Sequence, residues 1–339
     1  MGARPSVRCK ERTGGSSPWP RWSPCLCFAL GLLAAVWPAP ARAAAPTVVY
    51  STRFEVAEGY STSFLLAGQQ GWISDGSGGN GILDGFFAGM GQQAYIGFGA
   101  PEAAGDFLNV WRPINLAPVP TNQPVVKFAV TMSVISSSGG NTQHDDFRWS
   151  VYNTNGARLL TLDFDASALA ISYALDDGQG FTATGWNFAR DTIYDLVITM
   201  NVARNRWSAT LNGTQVAAAL PISTTGAALN IGDVDAVWAI RTPGSPGNNY
   251  LIFDNYQLTT EDVAVTQPGI SSPTRLGDGS LQLRLQGEQV VRYAFEASTN
   301  LTLWLPLTTN SAATGAIDFT DATAGAFDRR FYRVRQVTP

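Results

Sequence analysis

The stretch TQHDDFRWSVYN, residues 142–153, holds the chain's single histidine, followed at once by two aspartates and an arginine. These side-chain types can handle protons and bind acids. His144 with Tyr152 or Arg148 has the parts of a polysaccharide lyase site, in which one group neutralises a uronate and another moves a proton. A serine triad is a poorer fit, because no Gly-x-Ser-x-Gly elbow accompanies the histidine. Asp145, Asp146, Asp163 and Asp165 leave a glycosidase carboxylate pair open, should they meet across strands. Plainer roles compete with each of these. A loop histidine fed by SSSGGNTQ can be a solvated bystander, and aspartates at strand ends serve turns. Arg148 and Asp146 are expected to pair with each other or to line a polar sheet face. The cluster reads as the mouth of a strand.

The elements that must carry these residues are strands. In PVVKFAVTMSVI (124–135) Val126, Phe128, Val130, Met132 and Val134 point one way, and Lys127, Ala129, Thr131 and Ser133 the other. TIYDLVITMNV (192–202) and RWSATLNG (206–213) repeat that alternation around ARN, which predicts a hairpin. ARLLTLDFD and ALAISYALDDG predict another. In DDFRWSVYN, Phe147, Trp149 and Val151 face inward, while Arg148, Ser150 and Tyr152 face outward. No dozen residues carry helical period. Half-apolar strands of this number must close on one another, so the fold class is all-β, an antiparallel β-sandwich of jelly-roll type. NYLIFDNYQLTT (249–260) is expected beside TVVYSTRFEV (47–56), closing the sandwich over residues 44–260. EDVAVTQPGISSP (261–273) reads as a linker, and residues 274–339 as a small second β-module with Trp304 in its core.

Residues 1–43 read as an export signal: Arg4, Arg8, Lys10 and Arg12, then LCFALGLLAAVW, then ARA before a cut after Ala43. Its apolar run is about half the ~20 residues of a membrane span, so a secreted chain without a span is expected. Cys9, Cys25 and Cys27 all fall in the leader, which removes disulfides and thiolate chemistry from the mature chain. Of the 22 basic and 26 acidic residues, six and one lie in the leader, leaving 16 and 25, a net charge of −9. An acidic chain whose one mature lysine is Lys127 is no nucleic-acid binder. A monomer is expected.

The span 47–260 resembles a concanavalin-like or laminin-G-like jelly roll found in exported proteins of Verrucomicrobia-type bacteria. The resemblance rests on DDFRWSVYNTNGARLLTLDFD, ALDDGQGF, MNVARNRWSATLNG, IGDVDAVW and YLIFDNY. YAFEASTNLTLWLPLTTN, IDFTD and RRFYRV resemble a fibronectin-III-like module of the same exported proteins. The first resemblance implies a structural Ca²⁺ joining first and last strands, at positions matching Glu55 and Asp254; hard oxygen donors suit that ion. The residues' other reading pairs Glu55 with Arg53 and has Asp254 cap a turn. Jelly-roll glycanases carry Glu-x-Asp-x-x-Glu on one strand, and no mature glutamate frames that motif.

Arg148, Tyr152 and Trp186 are therefore the candidate ligand residues on a non-enzymatic surface for a polysaccharide or cell-surface glycan. Trp186, after the Gly-rich DDGQGF, is expected at a loop rim where a ring can stack on sugar. Trp149, Trp207 and Trp238 are expected in the core. Arg329, Arg330, Arg333 and Arg335 read as solvated strand residues, with an anionic polymer as the alternative contact. A polysaccharide-active enzyme, lyase before hydrolase, and a structural surface protein remain the other function classes.

Overall fold

A computed structural model describes residues 45–76, 79–99, 105, 107–263, 268–288, 291–312 and 315–337. The leader read at 1–43 lies outside them. Among the described residues the chain opens with β1 (Thr47–Thr52), β2 (Ile73–Gly76), β3 (Asn80–Asp84), β4 (Gln92–Gly97) and β5 (Phe107–Trp111). Then come β6 (Val125–Ile135), β7 (Asp146–Tyr152), β8 (Arg158–Asp165), β9 (Ala170–Leu175) and β10 (Thr182–Asn187). β11 (Tyr194–Asn201), β12 (Arg206–Leu211), β13 (Thr214–Leu220), β14 (Asp233–Ala239) and β15 (Tyr250–Glu261) complete the larger body. Two antiparallel sheets result, an eight-stranded one ordered β13-β12-β11-β6-β15-β4-β3 with β1 on β15, and a seven-stranded one ordered β10-β9-β8-β7-β14-β5-β2. The fold is the expected all-β jelly-roll sandwich.

Period-2 alternation explains the closure. Phe128, Val130 and Met132 on β6 face Trp149 and Val151 on β7, and all are buried. Phe128 and Trp149 lie 5.0 Å apart, and Trp149 meets Phe253 edge-on at 5.3 Å. Trp207 and Trp238 are buried too, as expected. The buried Tyr256 donates its hydroxyl to the Val234 carbonyl at 2.9 Å, a bond between the two sheets. The ARN hairpin forms because Asn201 accepts from the Arg204 amide and Asn205 takes the left-handed conformation at φ 50°. β1 pairs with β15 in the expected place, Thr47 opposite Thr260.

β15 changes its second neighbour midway: its first half pairs with β4 and its second half with β1. The change coincides with a bulge between Asp254 and Gln257, where Asn255 adopts φ 51°. Bulges let a strand end one pairing and re-aim side chains.

The remaining strands are β16 (Gly269–Arg275), β17 (Leu281–Gln286), β18 (Arg292–Ser298), β19 (Leu305–Ser311), β20 (Ala316–Asp321) and β21 (Phe331–Val337). They form two three-stranded sheets, β16-β17-β20 and β19-β18-β21. β16 occupies part of the stretch read as linker. Its Pro273 is tolerated because β16 is an edge strand whose register shifts at that point. Leu285, Val291, Tyr293, Phe295, Ala312 and Ile317 make the core of this part. Trp304 is not among them; its ring lies under the Arg333 guanidinium, 4.3 Å from it. Among the described residues no helix is long and apolar enough to cross a membrane.

Candidate functional site

Strand alternation sends Arg148, Ser150 and Tyr152 to the outer face of the seven-stranded sheet, opposite Asp163, Thr161 and Arg158 on β8. Arg148 does not pair with Asp146. Its Nε donates to Asp163 Oδ1 at 2.7 Å, because the residue opposite on β8 is closer than one two positions along the same strand. Asp146 instead takes a two-pronged bond from Arg241, whose Nη2 also reaches Asp165 at 2.5 Å. The four aspartates named as a possible pair are neighbours, but arginines tie three of them. Asp145 holds the fourth place as a buried acceptor for the Trp238 ring N–H and for the amides of Arg241 and Gly247. Burial pushes the Asp146 carboxyl up to about 6 against the opposing pull of Arg241.

His144 sits in the loop before β7. Its Nδ1 bonds the Thr142 carbonyl at 3.0 Å and its Nε2 accepts from the Ser137 amide at 3.4 Å. Both ring nitrogens thus brace their own loop, and no bond joins His144 to Arg148 or Tyr152 among the described residues.

The ring stacked on Arg148 is Phe181, not Trp186. Phe181 ends the Gly-rich turn before β10 and places its ring 4.6 Å from the guanidinium carbon. It stays 43% exposed. Trp186 lies on the edge strand β10 rather than in a loop, where the register with β9 breaks between Ala183 and Asn187. It is 47% exposed. Tyr152 shares β7's outer face with Arg148 but lines a shallow cleft of its own with Arg158, Asp176 and Gly178. Sequence reading missed Phe181, and it missed Asp233 and Asp235 as well. The latter two alternate in GDVDAVW and so share the outer face of β14, opposite Tyr152 and Ser150. Burial first, then the charge of Asp233, drives the Asp235 carboxyl well above the ordinary range, and Tyr152 is raised by burial and the same two acids.

Glu55 and Asp254 meet on the other sheet, in a cleft of about 320 Å³ with Arg53, Gly89, Met90, Gly91 and Asn255. Gly91 sits there at φ 71°, a backbone conformation that favours glycine, and a Cβ would press on the end of the Glu55 side chain. Asp254 is buried and pushed up to about 6, chiefly by burial, with Glu55 adding repulsion and the Asn255 amide opposing. Two carboxylates and nearby loop carbonyls are the right donor type for Ca²⁺, which takes 6–8 oxygens. No group of three or more His, Cys, Asp or Glu suited to a metal occurs among the described residues.

No known family matches the chain, and no curated protein matches it. Solved structures similar to it include a protein of unknown function with galectin-like fold from Bacillus subtilis, at 11% identity and TM-score 0.44, covering 65% of this chain and 99% of that one. Arcelin-5, a lectin-like defence protein from Phaseolus vulgaris, matches at 9% identity and TM-score 0.41, over 59% and 96%. A sialidase matches at 11% identity and TM-score 0.40 over 56% of this chain, which spans only 17% of the sialidase chain. These likenesses concern the fold and assign no ligand.

Proposed function

We propose that the chain is an exported, non-enzymatic glycan-binding protein whose ligand lies on the outer face of the seven-stranded sheet. One observation carries this reading: Arg148 is held at Nε by Asp163 and stacked on a half-exposed phenylalanine. That arrangement leaves its Nη donors without a partner among the described residues. A guanidinium fixed in this way loses little freedom on accepting a carboxylate or sulfate, and the fork suits such groups. Phe181 offers its free side to a sugar's apolar face. Tyr152 extends the polar face, and Trp186 adds a ring at the sheet edge.

Binding on such an open face is weak, because few sugar atoms leave water. A panel of uronate, sulfated and neutral oligosaccharides, with a reducing-end assay run alongside, tests the reading. Retention of acidic glycans without product is expected. Product formation that vanishes in His144→Ala would replace this reading with the lyase one.

The same proposal gives Ca²⁺, held by Glu55 and Asp254, a purely structural part at the junction of β1 and β15. The mutual repulsion of those two acids supports it, because a cation would relieve it. The secreted location, the bacterial source, the monomeric state and the fibronectin-III-like character of the tail belong to the proposal too.

A further inference from the structure

A cleft of about 540 Å³ opens on the opposite sheet. It is lined by Ser51 on β1, Arg53 and Glu58 after it, Thr131 on β6, Asp195 on β11, and Asn255 and Gln257 on β15. Register sets one row across three strands, Asp254 opposite Thr131 and Thr131 opposite Asp195. The bulge then turns the Asn255 amide toward Thr131. Asn255 Nδ2 donates to Thr131 Oγ1 at 3.2 Å, and that hydroxyl donates to Asp195 Oδ1 at 2.8 Å. Asp195 Oδ2 has no bond among the described residues.

Phe54 fixes the other wall. A phenylalanine at φ 57° is a steric outlier, held because its buried ring packs on Tyr60, Trp72 and Phe253. Buried Phe54 leaves Arg53 exposed at the cleft, with no ion pair or hydrogen bond to its guanidinium among the described residues. The lining thus offers acceptor-only carboxylates, one donor-only guanidinium, and hydroxyls and amides that do both. Sugar hydroxyls donate and accept, so this mixture matches them. The surplus of carboxylates over Arg53 works against an anion.

Further along the outer face of β15 lies an aromatic cluster. Tyr250 meets Phe86 at 6.0 Å, Phe98 at 5.6 Å and Tyr95 at 6.4 Å, all edge-on. Phe86 and Phe98 are 43% and 59% exposed, although burying such rings is normally favourable. Their positions are built rather than accidental. The buried Gln93 accepts from the Phe86 and Phe87 amides, and Phe98 sits at φ 68°, a second aromatic in the left-handed region. Strain persisting at an exposed aromatic points to use. From Tyr250 to Gln257 the strand covers on the order of 20 Å.

We propose that this face is a second binding site, taking a neutral linear oligosaccharide along β15. Its hydroxyls meet Asp195, Asn255 and Arg53, and a ring further along stacks on Phe98 and Tyr250. This goes beyond the acidic-glycan reading of the other sheet and stands without it. The test is calorimetric titration of neutral hexasaccharides with different linkages, and of an oligouronate, into the mature protein and three variants. Phe98→Gly suits φ 68° and should keep the melting temperature, so lost binding there is not unfolding. Phe98→Gly and Asp195→Asn should each weaken a neutral oligosaccharide at least ten-fold and leave oligouronate binding unchanged; Arg148→Gln should do the reverse. The proposal fails if no neutral oligosaccharide binds. It fails equally if such binding survives Phe98→Gly and Asp195→Asn, or is lost in Arg148→Gln.

Discussion

The outer faces of the two sheets are built from the same alternating strands, yet they present opposite chemistry. On the seven-stranded sheet acids and arginines are paired, Arg148 to its register partner Asp163, and Arg241, just past β14, to Asp146 and Asp165. On the eight-stranded sheet a bulge and a left-handed Phe54 interrupt that regularity, and carboxylates outnumber Arg53 around an open cleft. Regular pairing yields a polar surface of ion-paired arginines with a shallow cleft beside Tyr152. Interrupted pairing yields a cavity.

Removing what both faces share should have the largest effect. Trp149 packs on Phe128, Phe253 and Tyr256 between the sheets. Trp149→Ala should cost about 3–5 kcal/mol in denaturant unfolding and weaken binding at both faces together. Loss at one face alone would mean that the faces do not depend on a common core.

Calcium should act on the eight-stranded sheet first. At ~100 times its dissociation constant, Ca²⁺ bound only by the folded chain adds about 2.7 kcal/mol. A chelator should therefore lower the melting temperature, and Glu55→Ala should remove that response. Identical melts with and without chelator would eliminate the site.

Acidity should test the seven-stranded face next. Asp235 folds with its carboxyl raised, so the folded chain holds a proton that the unfolded chain releases near pH 4. Its contribution to stability is complete below that pH and is lost as pH rises towards the raised folded value. Asp235→Asn should flatten this decline and exceed the wild type in stability at pH 8, measured by urea unfolding across pH. A wild-type profile no steeper than the variant's would contradict the buried pair.

Much of this was legible in the residues. The alternation in 124–135, the ARN hairpin and the pairing of first with last strand follow from period-2 patterning and turn chemistry. Asp233 and Asp235 could have been read the same way from GDVDAVW. Other features depend on register or on a distant fold-back, which no local pattern carries. Arg148 finds Asp163 because of how β7 and β8 align. Phe181 reaches Arg148 although β8 and β9 lie between β7 and β10 in the sheet. Trp304 suggested a core by its type, but Arg333 and the chain's own turn hold it at the surface. Pro273 suggested a linker, but an edge strand tolerates it.

The cut between sandwich and tail is a milder test of the same architecture. A chain ending after Val263 should still unfold cooperatively, since β1 and β15 close its sheet without the tail. Loss of the Arg204–Glu288 ion pair, partly exposed, should cost no more than about 1 kcal/mol. A non-cooperative melt would show that the sandwich depends on the tail.

The most direct test of the glycan reading is calorimetric titration of an oligouronate into the wild-type protein, Arg148→Gln, Phe181→Ala and Trp186→Ala. Arg148→Gln should weaken binding about ten-fold, or 1.4 kcal/mol, Phe181→Ala by somewhat less, and Trp186→Ala least. Equal affinity in the wild type and in both Arg148→Gln and Phe181→Ala would contradict the assignment of the ligand to this face.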